Sequence, residues 1–188
     1  MDLESLVPSG QQVAALLVAA LLVFWMLGAY NRLVALRGAI GRAWQQADEL
    51  VQKRAAALTP LVAALREPMA AEQGALDAWL SAQGAVRAAA DQLRLRPVEA
   101  ARALALATAE ASLAAAGSRV RALVDQHAGL RAEPAVAPHL AALAEVETRM
   151  PFARQLYNEA ASTYNAALRE FPTRLLAMVY GFAPAGRL

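Results

Sequence analysis

Val13–Leu65 reads VAALLVAALLVFWMLGAYNRLVALRGAIGRAWQQADELVQKRAAALTPLVAAL, and the change of pattern inside it decides the fold. Up to Tyr30 the run is apolar on every side. Eighteen residues without a charge make a helix of roughly 27 Å, close to the thickness of a hydrocarbon core. No charged residue lies between Glu4 and Arg32. After Tyr30 the apolar positions become periodic: Leu36, Ile40, Trp44, Ala47, Val51, Ala55, Leu58, Val62 and Leu65 follow at threes and fours. That spacing is one stripe of a helix. No turn signal separates the two regimes, so the spacing predicts a membrane helix running straight into the first helix of a bundle.

The segments read as follows. Residues 1–10 form a short tail, with Pro8, Ser9 and Gly10 delaying the helix start. Residues 11–30 form the transmembrane helix, residues 31–172 an antiparallel bundle of about four helices, and residues 173–188 a short helix and tail. A cleaved signal peptide is the competing reading. It calls for a basic n-region and a shorter apolar core, whereas this N-terminus carries Asp2 and Glu4. Arg32, Arg37, Arg42, Lys53 and Arg54 all follow the apolar run, so the positive-inside rule puts the bundle in the cytosol. The expected site is the cell (inner) membrane or an organelle derived from it. Arg32 and Arg37 lie within about 10 Å of the bilayer by helical rise and could meet anionic lipid heads. The same charges serve to set topology.

Composition supports an all-α fold. Alanine takes 49 of 188 positions, and glycine and proline together take 19. Pro60 predicts a kink in the first long helix. Further helices are expected over about 69–93, from Pro97 to about Leu130, and from about Pro138 to Glu170, with a bend at Pro151. The first, third and fourth are expected to match at about 30–36 residues beyond the membrane. Thr173–Tyr180 can form one last short helix. Its apolar side chains could pack back on the bundle, dock on lipid or contact a partner.

Chemistry-bearing residues are few. There is no cysteine, and His127 and His139 are the two histidines. Neither a metal cluster nor a thiol nucleophile can be built from that stock. Asp48-Glu49 and the pair Glu145, Glu147 point apart on a helix. No phosphate loop or nucleophile elbow occurs. Neither catalysis nor a cofactor is expected. The net charge of +2 gives no argument for nucleic acid. His127 falls on an apolar stripe and reads as a satisfied core histidine.

The most specific local feature is Tyr157-Asn158, repeated seven residues later as Tyr164-Asn165, with Phe171 after another seven. Two turns separate the pairs, so the tyrosines share one face and the asparagines the next. Core tyrosines with asparagines that fix bundle register are one reading; a recognition stripe is the other.

These residues also carry a resemblance. Tyr30-Asn31-Arg32-Leu33 after an apolar anchor, Ala43-Trp44, and the ending Tyr157-Asn158, Tyr164-Asn165, Phe171-Pro172 and Gly181-Phe182 resemble the LemA family. The likeness covers residues 30–182 and is strongest at both ends. It implies a single-pass membrane protein with an elongated antiparallel helical domain and no assigned catalytic residues. One branch, the MamQ type, is associated with magnetosome membranes. Ala47-Asp48 stands where the family usually has Ile-Asp, which marks a divergent member. The expected function is a membrane-anchored scaffold or adaptor acting through protein or lipid contacts. A membrane-shaping or organelle-assembly role is the alternative, and an enzyme or enzyme regulator is third. The protein partner stays unnamed, and homo-oligomerisation stays open.

Overall fold

The structure, a computed structural model, describes residues 10–127 and 129–188. Its helices are α1 (Gly10–Leu65), α2 (Gln73–Leu95), α3 (Ala100–Gln126), α4 (Ala137–Ala167) and α5 (Thr173–Tyr180). Among the described residues, backbone pairing of the β type is confined to a bridge between Glu99 and Ala185. The all-α fold is as the sequence predicts.

α1 is the spine. It runs 56 residues without a break, about 84 Å at 1.5 Å per residue. The stretch Asn31-Arg32-Leu33-Val34 has no turn residue, and the helix passes through it as expected. Two regimes meet there. Leu16, Leu21, Phe24 and Leu27 are exposed. An 18-residue window in this half has a mean hydropathy of 2.4 and is 6% buried, so α1 is long and apolar enough to cross a membrane. From Leu33 onward, burial recurs at Ile40, Trp44, Ala47, Val51, Arg54, Leu58, Leu61 and Leu65.

α4 and α2 pack on α1, and α3 packs on α2. Side-chain pairs fix the directions. Along α1 and the descending α4, Trp44 meets Tyr157 edge-on at 6.3 Å between ring centroids, and Arg32 meets Glu170 just past the end of α4. Along α1 and α2, Arg66 pairs with Asp77 at 2.7 Å and Asp48 with Arg94 at 2.8 Å. Each helix is thus antiparallel to its chain neighbour. Alanine permits the close approach, and Gly117 goes further. A Cβ there would lie 2.8 Å from Trp79 Nε1, so the buried indole of α2 needs this bare spot on α3.

Pro60 and Pro151 lie inside α1 and α4, and both helices continue past them. Three details differ from the expectations. α3 has 27 residues, fewer than the matched lengths expected. α4 ends at Ala167 rather than near Glu170. Phe171 therefore leaves the line of the tyrosines and is 71% exposed. Finally, His127 sits half-buried at the end of α3, its Nδ1 2.8 Å from the Leu123 carbonyl oxygen. A local bond at a helix terminus satisfies it, not the core.

Candidate interaction site

α3 and α4 make no contact comparable to the other helix pairs. They leave an open groove of about 610 Å³. Leu58 of α1, Trp79 of α2, Leu113 of α3 and Leu143 and Met150 of α4 form its apolar lining. Arg54 reaches this space from the core stripe of α1. It follows Val51 by three and precedes Leu58 by four, a position otherwise filled by apolar residues. Its guanidinium meets Glu110 of α3 as a two-pronged pair, with Nη1 donating to Oε2 at 3.0 Å and Nη2 donating to Oε1. The side chains are only 7% and 11% exposed. Arg154 of α4 approaches the same carboxylate at 3.7 Å. Further along, Arg121 donates to Glu147 at 2.8 Å, crossing from α3 to α4. The groove thus combines a greasy floor with fixed charges of both signs.

Arg54, one of the five basic residues that follow the apolar run and were expected on a charged face, is instead buried in the bundle, paired with a residue 56 positions away. Arg32 and Arg37 are both exposed, and Arg32 is tied to Glu170 at 2.6 Å. Asp48, expected only as one of two divergent carboxylates, is buried on α1. It accepts from Arg94 Nε at 3.0 Å, from Arg94 Nη2 and from Gln52 Nε2 at 2.9 Å. The bonds from Arg94 to Asp48, above all, raise the Arg94 pKa above its already high value.

The tyrosine–asparagine repeat has a clear structural task. Tyr157 and Tyr164 are buried to 0% and 1% exposure. Tyr157 donates its hydroxyl to the Pro97 carbonyl at 2.7 Å, and Tyr164 to the Ala183 carbonyl at 3.2 Å. Burial pushes the Tyr157 hydroxyl up to about 12. The Tyr164 hydroxyl is also raised by burial, against an opposing pull from Arg37. The asparagines do not set helix register as expected. Each grips the backbone of the C-terminal segment with both ends of its amide. Asn165 binds Ala185 through N–H donation in both directions, at 2.9 and 2.7 Å. Asn158 binds Leu188 in the same way, at 2.9 and 2.8 Å. The spacing follows from geometry. Seven helical residues rise about 10.5 Å, and three extended residues cover about 10 Å. The segment runs antiparallel to α4, and Gly186 presses against Ala100, where a Cβ would lie 2.7 Å from Cα.

The remaining signature residues lie in the same half of the bundle, toward the apolar part of α1. Trp44 is buried in the core beside Tyr157. Tyr30 and Asn31 are exposed, and Tyr30 lies 5.3 Å from Tyr180 and 6.0 Å from Phe182 between ring centroids. Phe171 lies 5.1 Å from Trp25. Pro172 starts α5 and Gly181 ends it in a left-handed conformation (φ 67°). Phe182 N–H then returns to the Ala177 carbonyl at 3.0 Å, closing a Schellman turn. Among the described residues, no three His, Cys, Asp or Glu side chains converge as a metal site would need.

No curated protein matches the chain. The family model that does match is that of the LemA family, over residues 43–187. That range holds the charged pairs under the groove, both tyrosine–asparagine pairs and the clamped Ala185, so the match covers most of the bundle. With more than half of its length matched, this chain belongs to the LemA family.

Proposed function

We propose that the protein is a membrane-anchored scaffold that presents the α3–α4 groove to a polypeptide partner at a set distance from the bilayer, without catalysis of its own. The observation that carries this reading is the unbroken passage of α1 from an exposed apolar segment into the bundle core. An anchor with no joint fixes the orientation of everything packed on it. Arg54 lies 24 residues beyond Tyr30, roughly 36 Å along the axis. Confinement to a surface raises the effective concentration for partners at that surface. The apolar floor suits a partner's hydrophobic side chains, and Arg154, Glu147 and Arg121 at the rim suit a sequence of mixed charge. The basic residues after the apolar run favour a bundle on the cytosolic side.

Photo-crosslinking of the full chain in its own membranes tests this. A photoreactive residue at Gln155 or Ser162, both lining the groove, is expected to give a discrete protein adduct that Arg154→Glu abolishes. The same probe at exposed Ala88 on α2 should give none. Absence of adducts at both groove positions would overturn the reading. Membrane shaping is the second reading, and the exposed apolar face of α5 favours it. Deletion of the gene would then alter membrane morphology.

A further inference from the structure

We propose that α5 is a second membrane contact, an interfacial helix whose outer face lies in the acyl-chain border of the same bilayer that α1 crosses. This rests on the reading of α1 as an anchor and extends it. The sequence FPTRLLAMVY at 171–180 holds one charge, Arg174. Leu175, Met178 and Val179 recur at helical spacing and share one face of α5, and Phe171 stands in the turn just before it. In that order they are 51%, 72%, 77% and 71% exposed. A soluble surface has no reason to leave three large apolar side chains together on one short helix, with a fourth, Phe171, in the turn that leads into it. The opposite face carries Thr173 and Leu176, which are buried. Thr173 donates to the Ala167 and Glu170 carbonyls, tying the start of α5 to the end of α4. The helix is held in place, so its exposed face is a fixed feature of the fold.

What covers that face follows from where α5 is docked. Its partners on α1 are Tyr30, by ring contact with Tyr180, and Val23, Met26 and Leu27, across a cleft of about 300 Å³ shared with Leu176 and Tyr180, while Trp25 meets Phe171 in the turn before the helix. All five α1 residues lie inside the uncharged run that ends before Arg32. Trp25 and Tyr30 are separated by roughly 7.5 Å along the axis, a slab matching the depth at which amphipathic helices bury their apolar face. Trp25, Tyr30, Tyr180 and Phe182 collect at this level, as rings do in an aromatic belt. Arg32, paired with Glu170, lies at the border, and Arg174 is exposed where it can extend toward lipid headgroups. A lipid surface fits each of these features. The contact would turn a single peg into a two-point mount and fix the tilt of the bundle.

The absence of cysteine makes a direct test simple. Single cysteines at Val179, Leu22 and Ala115 carry a nitroxide in the full chain, reconstituted in vesicles of neutral and anionic phospholipid. Collision rates with oxygen, which concentrates in acyl chains, are compared with those of a water-soluble nickel chelate. The oxygen-to-nickel ratio at 179 is expected to approach that at 22 and to stand several-fold above that at 115. A ratio at 179 equal to that at 115, with 22 still in lipid, overturns the α5 contact and leaves the anchor standing. Low collision with both reagents at 179 overturns it too, because protein then covers the face. A label at 22 that reports water removes the anchor reading itself, and this inference with it.

Discussion

Glu110→Leu is the sharpest perturbation of the bundle. The substitution removes the carboxylate that holds Arg54, whose side chain is 7% exposed and whose Nε already lacks a hydrogen-bond partner. Arg54 then keeps its charge in a place that water reaches poorly. Breaking a buried pair in this way costs about 3–5 kcal/mol. Arg154 adds little to that figure, since its side chain is 41% exposed and can turn to solvent. The double variant Arg54→Met, Glu110→Leu removes both charges and keeps the volume. It is expected to lie within about 1 kcal/mol of the parent or to be more stable. The control is Asp77→Leu, which breaks the Arg66 pair at side-chain exposures of 46% and 59% and is expected to cost less than about 1 kcal/mol. For a chain of this length the Glu110 single variant should melt roughly 6–20 °C lower, at 2–4 °C per kcal/mol. Circular dichroism of the detergent-solubilised full chain reads the bundle transition. A Glu110→Leu loss no larger than that of Asp77→Leu would refute the reasoning, because the pair would then be hydrated.

Burial of Tyr157 gives a pH prediction with a definite sign. Its hydroxyl ionises near the ordinary value of 10 in the unfolded chain and near 12 in the fold. The folded state holds the proton longer, so its contribution is complete below pH 10 and falls away as pH rises toward 12. Roughly 2–3 kcal/mol should disappear across that window, at 1.36 kcal/mol per pH unit. Tyr157→Phe is expected to flatten that part of the curve and to cost about 1 kcal/mol at neutral pH through the lost bond to Pro97; a curve of unchanged steepness would contradict the assignment. Asn158→Ala with Asn165→Ala removes four bonds to the C-terminal segment. Amide exchange at Ala185 and Leu188 is expected to accelerate by at least an order of magnitude, at about 1 kcal/mol per bond, while the amides of Tyr157 and Trp44 change little. Unchanged exchange at Ala185 would mean that the clamp does not hold the segment.

Local signals in the sequence were strong enough to place most of the architecture. The missing turn between Tyr30 and Leu36 predicted the continuous α1, and Pro172 with Gly181 bracketed α5. Arg54 was misplaced for a physical reason. Ala55 completes a three-four stripe as well as Arg54 does, and charge normally argues for solvent. What overrides that rule is Glu110, 56 positions away, which no periodicity connects to it. The asparagine clamp was hidden for a similar reason. An extended segment without alternation has no periodic signature. The match between seven helical rises and three extended ones becomes visible only once the segment is laid along α4. Phe171 misled because a seven-residue interval was carried past the point where α4 stops. The family signature located these residues without saying what they do.

The central claim is that one rigid helix joins the membrane to the bundle. Pulsed electron–electron distance measurement between nitroxides at Ala20 and Lys53, in full-length protein reconstituted in bilayer nanodiscs, tests it most directly. Both positions are exposed on α1, and 33 residues of unbroken helix separate them by roughly 50 Å. A single narrow population near that distance is the expected result. A broad or much shorter distribution, or a mature chain that has lost position 20 altogether, would contradict the account.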